Sequence, residues 1–340
     1  MLSTQPRIQG LYWFTLVVGL LFWASNYYLY FNVEQLIASW KTGLTMLFGS
    51  FVAGSTPLGG GAVAFPILTK VLAVSAEDAK VFSLFIQSIG MSFATLFFIS
   101  KRIEIDWKTL SYALVFSALG QFACLFIHIE SGLVIKHMYT CFLLLVAIIL
   151  LDSFTHTPKI YHLIFARKRL ATAAFIGGVV SGFLGAGADT LLFFYYVILM
   201  KQPAKKVIPT TVALMAGNAI IGSVLVLSSN TVPSPFVISS WFFAAPIVAI
   251  GAPLGGLIMT KLPAKSILAM VIFIIALEAV TTLTLLPLNW LEATMVYLLL
   301  GLLLVKIKIE IFFTRYKPGV QNIILTTGLI SRRTRIPPKP

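Results

Sequence analysis

An all-α polytopic membrane fold built from two inverted-topology repeats is what this sequence predicts, and three observations predict it. The 340 residues are 59% hydrophobic and 11% charged, with a mean hydropathy of +0.96. That is more apolar surface than a soluble domain can bury. Apolar runs near the ~20 residues that a helical span requires follow one another along the chain. Two further runs are broken alike, by GSTPLGGGAVAFP (Gly54 to Pro66) and by SGFLGAGADTLLF (Ser181 to Phe193). Period-2 alternation is weak, which argues against an outer-membrane barrel.

Taken in order, eight unbroken runs read as full crossings: 11–31, 79–100, 109–129, 134–152, 206–228, 236–258, 265–286 and 289–305. The first lacks a convincing small-residue cleavage site and is long enough to span, so it reads as a retained helix. Its Trp23, Tyr27, Tyr28 and Tyr30 suit an interface belt. The broken runs, 42–73 and 174–200, each have two readings: one interrupted crossing, or a re-entrant hairpin that returns to the face it left.

The positive-inside rule separates those readings. With two hairpins and a cytoplasmic N-terminus, thirteen Lys and Arg fall in cytoplasmic loops and eight more in the tail. Only Lys41, Lys70, Lys80 and Lys136 fall outside. If the broken runs crossed, the clusters at 101–108 and 159–169 would both be external. The hairpins are therefore expected, giving about eight full crossings and two re-entrant elements. Non-helical backbone at membrane depth is tolerated only inside protein or beside water, so two breaks point to one buried polar site.

Sliding 50–96 onto 178–224 without a gap pairs Gly54 with Gly182, Gly59 with Gly187, Phe65 with Phe193 and Ala76 with Ala204. Identities are few, but the order of segments is shared: a broken run, then three spans. Three crossings per half would start the second half on the opposite face. The expected organisation is a first helix and loop (1–41), a first repeat (42–152), a cytoplasmic connector (153–170), a second repeat (171–288), a last helix (289–313) and a basic, disordered tail (314–340).

At mid-depth no Lys or Arg is available in the predicted spans to pair an anion. The N-terminal end of a half-helix is the physical substitute, through free N–H groups and the macrodipole. Ser55, Thr56 and Thr190 flank the breaks, and Ser83, Gln87, Thr211 and Asn218 lie on the spans that follow them. These polar residues are candidate anion ligands, or simply the small and hydrogen-bonding residues that let membrane helices pack. Two acids lie well inside apolar segments, Asp189 and Glu278. Each is a candidate for proton coupling, or a structural acid held by hydrogen bonds or at a dimer contact.

PLGGGAVAFPIL (Pro57 to Leu68), FLGAGADTLLF (Phe183 to Phe193) and GAPLGGLIMTKLP (Gly251 to Pro263) resemble the motifs of the TauE/SafE sulfite-exporter family, also called toluene-sulfonate uptake permeases. The resemblance covers about 42–305. It implies a multi-pass bacterial inner-membrane transporter of sulfite, sulfonates such as sulfoacetate-like compounds, or related sulfur anions. It implies substrate contact at Gly59, Gly60 and Gly61 in the first copy and at Gly185 and Gly187 in the second. The second copy departs from the first, with Ala188 and Asp189 where the first has Gly60 and Gly61. An aspartate beside an anion is awkward unless it is protonated, carries a coupling proton, or serves another substrate.

The reading is a secondary transporter with both termini cytoplasmic, not an enzyme. An anion channel, or a carrier of another small organic anion, stays open. No phosphate-binding loop, HExxH motif or Cys/His cluster at metal spacing occurs in the sequence, so no cofactor is expected. Cys124 and Cys141 read as core residues. The net charge of +14 is read as membrane orientation rather than nucleic-acid binding. The expected partners are a small anion and the bilayer. The frequency of twofold assemblies makes a homodimer the default.

Overall fold

The computed structural model describes residues 5–286 apart from 31–32, 128, 130, 156–165, 201 and 230–231, with scattered positions between 290 and 308. The chain forms two compact units, Met1–Pro287 and Leu288–Pro340. In the second unit the described positions, such as Trp290 and Thr294, are helical. The middle of the expected connector, most of the expected last span and the tail lie outside the described residues.

The first unit is all helical among its described residues. Its elements are α1 (Gln5–Tyr30), α2 (Val33–Ala38), α3 (Trp40–Ser55), α4 (Gly61–Pro66), α5 (Ala76–Ser100), α6 (Trp107–Cys124), α7 (Gly132–Thr155), α8 (Ala166–Leu184), α9 (Ala188–Phe194), α10 (Ala204–Ser228), α11 (Pro235–Lys261) and α12 (Ala264–Leu285). α4 continues as a π-helix, Ile67–Val71, and α9 as another, Tyr195–Leu199. Four helical stretches among the described residues are long and apolar enough to cross a membrane: Ala76–Ser100, Ala204–Ser228, Pro235–Lys261 and Lys265–Thr282. The eight predicted crossings are therefore met in part, and α6 and α7 carry shorter or more polar stretches.

Local chemistry explains the helix starts. Ser75 accepts a hydrogen bond from Asp78 N at 3.0 Å, and Asp106 accepts one from Thr109 N at 3.1 Å. Ser234 accepts one from Val237 N at 3.3 Å, with Pro235 in the first turn of α11. Each cap satisfies an amide that the helix itself leaves free. An offset of 128 residues carries α5 onto α10 at both ends and the first π-helix onto the second. Pro66 ends α4 where the first π-helix begins, but the second π-helix has no such proline, so proline is not the shared cause.

α5 and α10 form the centre, with Phe82, Met91, Phe98, Ile208, Leu214 and Met215 all buried. Specific contacts give the relative sense of the helices. Thr42 Oγ1 lies 3.3 Å from Ser240 Oγ, and Gly54 packs on the Ala252 carbonyl, so α3 and α11 run the same way. Trp241 Nε1 donates to Phe85 O at 3.1 Å, and the Phe98 ring covers Gly256, which adds α5 to that set. Gly178 on Ser117, Gly182 on Cys124 and Asn218 Nδ2 to Ser117 Oγ (2.6 Å) align α6, α8 and α10 with one another. The two sets run oppositely. Leu84 meets Gly222 near one end, while Asp106 N donates to Thr210 Oγ1 near the other.

Candidate functional site

The breaks form two tips, and the tips touch. After α3, residues 56–60 turn before α4, with Gly59 at φ +67°. After α8, residues 185–187 turn before α9, with Gly185 at φ +70° and Gly187 at φ +123°. An L-residue strains at these angles, and glycine does not. A Cβ on Gly61 would stand 2.5 Å from the Ala186 Cβ, so the two tips pack closely there.

Side chains tie this junction together. Thr190 Oγ1 donates to Pro57 O at 2.9 Å, joining the second tip to the first. From α5, Gln87 Nε2 donates to Gly185 O at 2.7 Å and to Ser83 Oγ at 2.8 Å, and Ser83 Oγ donates to Gly185 O at 3.2 Å. Asp189 Oδ1 accepts from Thr190 N at 2.9 Å. Ser83, Gln87, Asp189 and Thr190 are all buried.

Other expected ligands are engaged elsewhere. Ser55 Oγ donates back to Phe51 O at 2.7 Å, and Thr56 Oγ1 to Val52 O at 2.9 Å, so both hydroxyls close their own helix end. Thr211 Oγ1 returns to Ile208 O at 3.0 Å. Asn218 accepts from Ser181 Oγ and donates to Ser117 Oγ, both at 2.6 Å, bridging three helices. The two half-helix starts also differ. The first has Gly60 as its cap residue with no side-chain bond, whereas Asp189 occupies the first-turn amide of Thr190 in the second.

Lys70, counted from the sequence among the charges of the outer side, has a side chain only 2% exposed and ion-paired to Glu278 Oε2 at 2.5 Å. Lys70 Nζ also donates to Thr282 Oγ1 at 2.7 Å and to Thr281 Oγ1 at 3.2 Å, while Thr140 Oγ1 donates to Glu278 Oε1 at 3.1 Å. Glu278 therefore has a cation of its own, and the pair pins the end of the first broken run to α12 and α7. Two opposite charges in otherwise apolar runs were the signal, but nothing local links residues 208 positions apart.

The second broken run is pinned at its own end. Tyr196 Oη donates to Asp106 Oδ2 at 2.8 Å. Burial opposes ionisation of Asp106, but bonds from the Thr109 hydroxyl and amide and from Tyr196 outweigh it and hold the carboxyl below the usual range. Two cavities flank the junction. One of about 550 Å³ is lined by Arg102, Asp106, Tyr196, Lys206 and Thr210. The other, about 680 Å³, is lined by Glu77, Lys80, Gln121, Gly182, Gly222 and Ser229. Neither is lined by residues 56–61 or 185–190. Among the described residues no group of His, Cys, Asp and Glu is placed to hold a metal ion.

Comparison with known families matches residues 42–282 to the sulfite exporter TauE/SafE family. The chain belongs to the TauE/SafE family. The match includes both tips, Lys70, Asp189 and Glu278, and stops short of the last predicted span. No curated protein and no solved structure matches the chain. Membership makes this a multi-pass membrane protein of a transporter family associated with moving sulfur anions.

Proposed function

We propose that the protein is a secondary transporter of small sulfur-containing anions, sulfite or organosulfonates of the sulfoacetate type, working by alternating access around the two tips. The observation that carries this is the tip junction itself, where the glycine-bearing turns of two halves of the chain pack together, Gly61 against Ala186 and Gly59 against Asp189, in a buried polar setting. The opposite sense of the two helix sets supports inverted repeats. Because α3 and α5 run the same way, the short segment between them must double back, which supports a re-entrant hairpin. Its eleven helical residues span about 16 Å, roughly half the hydrocarbon core.

In this reading the anion sits at the open amide end of α4, near Gly59, Gly60 and Gly61, once the tips separate. Tips packed on each other between cavities at opposite ends fit a closed carrier better than an open channel. Asp189 and Glu278 are the candidates for a coupling proton. The end bearing Arg102, Lys205 and Lys206 is cytoplasmic, in a bacterial inner membrane, with both termini on that side. Purified protein in proteoliposomes should show saturable flux of labelled sulfite or an organosulfonate. Folded protein without such flux would contradict the proposal.

A further inference from the structure

Two oxygens at the tip junction are left without donors. Gln87 uses its Nε2 hydrogens on Gly185 O, Ser83 Oγ and Ser83 O, at 2.7, 2.8 and 3.1 Å. Those acceptors fix the amide orientation, since a flipped amide would set its oxygen against the Gly185 carbonyl. Gln87 Oε1 is thereby turned toward Gly59, and it has no hydrogen-bond partner. Asp189 Oδ1 accepts from the Thr190 amide, while Oδ2 has no partner either. A Cβ on Gly59 would stand 2.6 Å from Gln87 Oε1 and 3.0 Å from Asp189 Oδ2, so both oxygens converge on one spot. The two residues are 2% and 0% exposed.

An ionised carboxylate and an amide oxygen beside the same glycine, both out of water, repel each other and leave two acceptors unsatisfied. One hydrogen between them removes both costs. A hard metal cation of the calcium or magnesium kind takes about six or more oxygens, whereas this spot offers two free side-chain oxygens. The surroundings supply no competing ion pair among the described residues. From α7, Tyr139 lies within electrostatic reach of both Asp189 and Glu278. Glu278 on α12 already pairs with Lys70. On α5, Lys80 presents its backbone carbonyl to Gly185. The charged side chains of α8 and α10 (Arg167, Lys168 and Arg169; Lys205 and Lys206) sit at the helix starts, and Tyr195 and Tyr196 follow α9.

We propose that the junction is a proton-binding site, in which a proton on Asp189 Oδ2 is donated to Gln87 Oε1 and travels with the anion. The proton comes from water on one face and is released to water on the other. With a monovalent anion, each cycle moves no net charge. The assignment deepens the transport reading by choosing Asp189 over Glu278, and the coupling rests on that reading while the proton site does not. Gln87 is then a positioning residue, and its hydrogen bond keeps the acid neutral beside an arriving anion.

Infrared spectroscopy of the full chain in lipid at neutral pH, without substrate, tests the site. Wild type should show a carboxylic-acid C=O band that disappears in Asp189→Asn and moves to higher wavenumber in Gln87→Leu. No band separating wild type from Asp189→Asn overturns the proposal, as does a band that Gln87→Leu leaves unmoved. Loss of the band when sodium chloride replaces choline chloride overturns it in favour of a metal cation. Should Asp189→Asn fail to fold, the Gln87→Leu shift alone decides. A second arm measures binding of 2-hydroxyethanesulfonate, whose charge does not change with pH. Its affinity should fall about tenfold per pH unit above the titration point in wild type and stay flat in Asp189→Asn. A flat wild-type profile overturns the coupling. No binding at all contradicts the substrate class proposed above and leaves the infrared result to judge the proton site.

Discussion

Gly59 and Gly185 share a left-handed conformation but not its surroundings. A methyl on Gly59 would meet the far end of Gln87, a side chain that can turn away, and Asp189 Oδ2. A methyl on Gly185 would meet the Lys80 backbone carbonyl at 2.6 Å and the Ser83 Cβ at 2.8 Å, neither of which can move without shifting α5. Both substitutions carry a left-handed penalty of about 1–2 kcal/mol. Gly185→Ala should therefore lower thermal stability well beyond Gly59→Ala, whereas Gly59→Ala should leave the protein folded and cut flux at least about tenfold. Equal thermal shifts would contradict this account of the two tips. The tips themselves were legible in the sequence, because the same kind of glycine-rich break, Gly59 to Gly61 and Gly185 to Gly187, recurs in two apolar runs at corresponding places in the two halves. The roles of the flanking hydroxyls were not. Ser55 and Thr56 look like ligands in a linear reading, yet a hydroxyl within reach of its own helix carbonyls bonds to them first.

At the scale of elements, each broken run is held at its far end by a polar clamp. For the first it is Lys70 with Glu278, Thr281 and Thr282, and for the second it is Tyr196 with Asp106. Removing one member of a buried ion pair strands the other charge, at a cost of about 3–5 kcal/mol. Lys70→Met should destabilise the protein by that order in chemical unfolding, and adding Glu278→Gln should recover much of the loss. A double variant no better than the single would remove the clamp from the account. The element pattern was readable in advance, since the gapless slide of the first half on the second matches α5 to α10 and π-helix to π-helix. The clamps were not readable. Charge counting gives Lys70 a side of the membrane, because it sees where a residue falls in the chain and not the partner that draws it into the protein.

For the whole molecule, the parallel sense of α3, α5 and α11, against that of α6, α8 and α10, puts the two hairpin ends at opposite ends of the helix set. Rocking one half against the other could then expose the tip junction to either cavity in turn. A neutral Asp189 would let an anion approach the Gly59 amides without repulsion, which joins the chemistry of the junction to the architecture that carries it. Val71 closes the first hairpin and Met200 follows the second, and both are at the surface, 66% and 36% exposed. The most direct test places single cysteines at these two positions in a background with Cys124 and Cys141 replaced, and adds a membrane-impermeant thiol reagent to sealed cells and to inverted vesicles. Val71→Cys should react only from outside and Met200→Cys only from the cytoplasmic side. Reaction of both from the same face would contradict the inverted pair of hairpins and the alternating-access mechanism built on it.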